Sequence, residues 1–176
     1  MKTLRMYAAA AAVGALAVFA LGASPASADT PATVEITGGS LSITVPADAG
    51  SLGTRANTVE GGTISGQLGE VRVNDARSAP AGSGWVASVI STAFTPPAGP
   101  TIAASAVSYT VGPIVKVGTA TYAANDPADL TGAKPAVTAT GITGDNSATW
   151  NPTINVDVPG GMAAGVYTAT VTHSVV

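Results

Sequence analysis

From Thr33 onward, short runs of Val, Ile and Thr alternate with clusters of Gly, Pro, Asn and Asp. A period of two with frequent breakers is the mark of strands in a sandwich or barrel. Thr33–Thr37 and Leu41–Val45 flank Gly38-Gly39 and predict a hairpin. Leu68–Asn74 predicts a strand with Val71 and Val73 on one face and Arg72 and Asn74 on the other. Ala79–Gly84 (Ala-Pro-Ala-Gly-Ser-Gly) reads as a flexible turn. Trp85–Ala93 follows as a strand with apolar residues on both faces, which predicts a central position covered on both sides.

After the Pro-rich break at Thr95–Pro100, strands are predicted at Ala106–Val111, Ile114–Tyr122 and Val137–Thr140, with Asn125–Lys134 a loop holding one short helical turn. Thr153–Val158 alternates cleanly, Ile154, Val156 and Val158 inward and Asn155 and Asp157 outward. Pro159-Gly160-Gly161 turns into a closing strand, Gly165–Val176, with Tyr167, Ala169, Val171, His173 and Val175 on one face. No amphipathic stretch of helical length occurs after the leader described next. The expected fold is all-β, a β-sandwich of antiparallel strands.

The front of the chain has a different pattern. Met1–Tyr7 carries Lys2 and Arg5, Ala8–Leu21 is apolar, and Ala26-Ser27-Ala28 supplies small residues before Asp29. This is the three-part pattern of a secretory signal peptide spanning residues 1–28, cleaved between Ala28 and Asp29. The apolar run is shorter than the roughly 20 residues a membrane span needs, and Ser-Pro follows it. Removing 28 of 176 residues leaves 148, residues 29–176, the size of one domain. A chain of roughly 150 residues buries about 68–70% of its unfolded surface and needs no covalent staple. The tail Thr172–Val176 has no apolar stretch or basic cluster, so the expectation is a mature chain without a membrane, lipid or covalent anchor.

Composition narrows the function. With no cysteine there is no disulfide and no thiolate metal site, which suits a bacterial surface protein better than an exported eukaryotic domain. Loss of Lys2 and Arg5 takes the formal charge from −3 to −5. The remaining cations, Arg55, Arg72, Arg77, Lys116 and Lys134, are scattered, so neither nucleic acid nor an anionic membrane is an expected partner.

Few residues carry candidate chemistry. Trp85 and Trp150 are the candidates for stacking on a sugar ring; a core role is the commoner fate of Trp85, whereas Trp150, beside Asn151-Pro152, is the better candidate for exposure. Asp75 and Arg77, two apart on a strand, share a face and could hold a polar ligand or form a solvent-facing ion pair. His173 is the single imidazole, on the inward face of the last strand, without a G-x-S-x-G elbow, so no catalytic triad is expected. Asp126, Asp129, Asp145 and Asn146 lie near one another in the chain but lack regular calcium-loop spacing. Gly38-Gly39 and Gly61-Gly62 read as turn glycines. Tyr167, after Gly165, is placed to pin a sandwich corner through its hydroxyl. The reading is of a non-enzyme without metal or cofactor, and a hydrolase would require an acidic cleft with two facing carboxylates.

Three stretches together resemble the WxL-domain family of Gram-positive surface proteins. They are Val71–Arg77 with Gly84–Val89 and Phe94, then Ile102–Tyr109, then Val156–Pro159 with Gly165–Val175. Trp85-Val86-Ala87 stands where the family has its first Trp-x-Leu, and His173 stands at the second tryptophan position, so this is a divergent, WxL-like pattern. The resemblance implies an immunoglobulin-like sandwich attached non-covalently to the cell wall, to peptidoglycan or another wall glycan. The alternative expectation is a structural subunit packing against itself or against another surface protein, using exposed strand edges.

Overall fold

The computed structural model describes residues 31–176. The expected leader and the Ala28–Asp29 cleavage point lie outside them. Residues Ile36–Val176 form one compact unit, which holds all the strands described here.

Among the described residues, eight strands and one 3-10 turn make an all-β fold of two antiparallel sheets. In chain order they are β1 (Leu41–Thr44), β2 (Gly62–Gln67), β3 (Val71–Ser91), the turn Ala104–Ala106, β4 (Val107–Thr110), β5 (Val115–Ala124), β6 (Lys134–Trp150), β7 (Thr153–Val158) and β8 (Val171–Val175). The 21-residue β3 organises the larger sheet. One of its sides pairs with β6, which pairs in turn with β5. Its other side is shared: β1 takes Arg72–Asp75 and β8 takes Ala87–Ser91. The smaller sheet runs β2-β7-β4.

Alternation explains why the two sheets stack. Val71, Val73, Trp85, Ala87 and Val89 of β3 and Val137, Ala139, Ala148 and Trp150 of β6 are buried. They meet Val107 and Tyr109 of β4 and Ile154 and Val156 of β7 in the same core. Each fully buried aliphatic side chain contributes about 1.5–3 kcal/mol. This is the expected β-sandwich.

Several local expectations are corrected. Thr33–Thr37 forms no strand, and β1 pairs with β3 instead of closing a hairpin. Ala79–Gly84 is not a turn but part of β3, where pairing to β6 shifts register between Asp75 and Ala79, Ala79 and Ser83, and Ser83 and Trp85. Its Pro and Gly residues mark bulges in a long paired ribbon. Trp85–Ser91 is central in its sheet but buried on one face only, Val86, Ser88 and Ile90 being half-exposed. β6 is far longer than Val137–Thr140, β2 begins at a glycine read as a turn, and the closing strand is confined to Val171–Val175. The helical turn lies at Ala104–Ala106 rather than in the 125–134 loop. Tyr167 Oη donates to the Ala163 carbonyl at 2.9 Å, the pinning contact its position suggested.

Candidate functional site

Asp75 follows Val71 and Val73 on the inward face, so its carboxylate is carried into the sandwich; it is not solvent-facing. Its side chain is 0% exposed, against 37% for Arg77. Arg77 grips it with a fork, Nε to Oδ1 at 2.8 Å and the second guanidinium nitrogen to Oδ2 at 2.9 Å, while the Arg77 backbone N–H adds a third bond at 3.2 Å. Asn146 Nδ2 donates to Oδ2 at 3.2 Å, and Asn146 Oδ1 accepts from Trp85 Nε1 at 2.9 Å and from Tyr122 Oη at 3.3 Å. The Arg77 hydrogen bonds hold the Asp75 carboxyl below its ordinary range, and burial raises the Tyr122 hydroxyl. Arg77 also donates to the Gly84 carbonyl, closing the bulged stretch of β3. These residues therefore join β3, β6 and β5 into one sheet, and the Trp85 indole is buried with its N–H engaged.

Trp150 is buried too, which corrects its expected exposure. It shares parity with Ala148 at the end of β6 and so points inward. Its Nε1 donates to Tyr109 Oη at 2.8 Å, and Tyr109 Oη lies 3.0 Å from His173 Nε2. Indole N–H can only donate, so the Tyr109 oxygen accepts from it, and the direction of its contact with His173 is set by the imidazole tautomer. His173 Nδ1 is buried without a partner among the described residues. Burial lowers the His173 pKa to about 4 and raises that of Tyr109.

The loop acids serve separate local roles. Asp126 accepts from Val111 N–H, Asp129 from Thr131 while pairing with Lys134 at 3.4 Å, and Asp145 from Ser78 N–H. A cleft of about 800 Å³ opens beside β2, walled by Leu52, Ile64, Phe94, Ile102, Met162 and Val171. Two of its polar side chains, Arg55 and Asn57, are engaged by the carbonyls of Gly61 and Met162.

The open chemical feature is a sheet edge. On the smaller sheet, the outer side of β4 is covered, Tyr109 N–H donating to the Pro127 carbonyl at 2.9 Å. β2, at the other end of that sheet, pairs with β7 alone among the described residues, and the Leu52 backbone lies over one of its faces at Gly66. In the larger sheet β5 pairs with β6 alone among the described residues, and it is the longest of these edge strands. Its register places Lys116 opposite the core residue Ala148, with Val115 and Val117 projecting to the other face, exposed. Lys116 Nζ lies 5.9 Å from the Tyr122 ring centroid. At Gly118 (φ 86°) the register shifts, separating Val115–Val117 from Thr119–Ala124.

Sequence reasoning found β5 but not its place at an edge, because edge position depends on which strands pair. It also missed Tyr122 and Tyr109 as partners of the two tryptophans, although both sit on inward positions of predicted strands. The chain matches no family model, no curated protein and no solved structure, so its two sheets, its buried polar networks and the open β5 edge are what bear on its function.

Proposed function

We propose that this chain is an exported, non-catalytic surface protein that works by assembly, through the open edge of β5. The observation that carries the reading is that edge: ten residues long, paired on one side, with exposed valines flanking its one charge. Unpaired N–H and C=O groups along a strand are a template for another strand. A non-catalytic role is supported by the state of the single imidazole, which is engaged by Tyr109 inside the sandwich. Sedimentation of the purified chain tests the proposal. Concentration-dependent association is expected, weakened by V115K/V117K, which crowds the edge with like charge. A strict monomer at the highest attainable concentration would reject it.

Wall attachment is a second reading, favoured by where the resembling stretches lie. Val71–Arg77 and Gly84–Val89 both fall on β3, and Val171–Val175 pairs directly with its end. With both indoles buried, binding to wall glycan would use polar strand faces instead of a stacking platform. Residues 29–176 should then co-sediment with purified cell walls; complete recovery in the supernatant at low salt counts against it.

A further inference from the structure

The β5 edge has a partner of matching pattern within the same sequence. Thr33-Val34-Glu35-Ile36-Thr37 alternates as a strand should, yet it lies outside both sheets, with Val34 88% and Ile36 87% exposed. The edge offers Val115-Lys116-Val117, its valines 68% and 65% exposed. We propose that segment Thr33–Thr37 of a second copy adds to the edge as an antiparallel strand, setting Val34 opposite Val117, Glu35 opposite Lys116 and Ile36 opposite Val115. This deepens the assembly reading and rests on it.

The register follows from complementarity. With side-chain period two, Val34 and Ile36 face one side and Glu35 the other, the same division as Val117, Val115 and Lys116. Both aliphatic pairs then form on one face of the extended sheet, and the acid meets the base on the other. Aliphatic and opposite-charge pairs directly across an antiparallel ladder are stabilising, and like charges there are not. A one-residue slip would set Glu35 against a valine and leave Lys116 facing an apolar side chain. Lys116 thus blocks a purely apolar strand and admits one with an acid at the centre, selectivity built from a repulsive element. The bulge at Gly118 limits the match to the first stretch of β5. Because all the ladders within the molecule are antiparallel, the added strand continues the sheet's own pattern.

Absence of cysteine makes the test direct, since introduced thiols report alone. Purified I36C and V115C are mixed under mild oxidation, with I36C and A123C as the out-of-register control. All three sites are exposed, so the substitutions leave the core intact. The expected result is a mixed I36C–V115C disulfide several-fold in excess of the I36C–A123C product. Sedimentation of V34K/I36K should show association lost to the level of V115K/V117K. If the wild-type chain associates but V34K/I36K associates equally, or both cysteine pairs cross-link alike, the donor segment is wrong and assembly through β5 stands. A wild-type chain that never associates overturns both.

Discussion

At the scale of single residues, the Asp75–Arg77 pair shows how burial makes an ion pair asymmetric. The carboxylate is wholly enclosed and the guanidinium is partly in water. Replacing Arg77 strands a buried negative charge, whereas replacing Asp75 leaves a cation that can hydrate. R77M is therefore expected to cost about 3–5 kcal/mol, and D75A about 1–3 kcal/mol from the unpaired Asn146 amide. In R77M the Asp75 pKa moves upward, so stability declines as pH rises through that raised value. Urea denaturation of the two variants checks the order, and D75A proving the more damaging would contradict it. Part of this site was legible. The parity of Val71 and Val73 extends to Asp75 and places it inside, although the pair was expected to face solvent. Its partner Asn146, 71 residues away, is joined to it by the β3–β6 register and by nothing local. The same holds for Trp150: its parity with Ala148 points inward, while the neighbouring Asn-Pro suggests an exposed turn.

At the scale of elements, strands were readable where apolar and polar residues alternate without interruption, as in β7. They were obscured where glycine and small polar residues sit within a ladder, as in β2 and in the Gly141–Ser147 part of β6. Such residues break strands in isolation, yet pairing holds them here, to β7 along β2 and on both sides along β6, where bulges absorb the irregularity. Gly118 is the bulge that matters most, because it divides the open edge. Its φ of 86° is strained for any other residue, and a Cβ there would lie 2.5 Å from the Asp145 carbonyl oxygen. Gly144 also has positive φ, 71°, but a Cβ there meets open space. G144A should therefore cost only the left-handed backbone penalty, about 1–2 kcal/mol. G118A should cost more, because the clash with backbone is added to the same penalty. Thermal or urea unfolding of the two variants compares them, and equal losses would show that the β5–β6 contact at the bulge is loose.

At the scale of the whole molecule, the Trp150–Tyr109–His173 chain ties the two sheets together, since Trp150 and His173 belong to the larger sheet and Tyr109 to the smaller. Burial there disfavours a charged imidazole. In the unfolded chain the imidazole titrates near its ordinary value of 6.5, and in the folded protein at about 4. Between these values the unfolded state binds more protons, so stability falls as pH drops from about 6.5 toward 4, by about 3 kcal/mol in all. Asp75 acts lower: its depressed pKa contributes stability that is complete above its ordinary value of 3.8 and lost as the pH falls further. The protein should therefore weaken in two stages on acidification, the first owed to a half-buried group joining the two sheets. H173F keeps a ring against Tyr109 but removes the titration, so its unfolding free energy should be nearly level from pH 6.5 to about 4.5 where the wild type declines. Measured by urea denaturation across that range, parallel curves for the two proteins would mean that His173 takes up its proton as readily in the folded protein as in the unfolded chain.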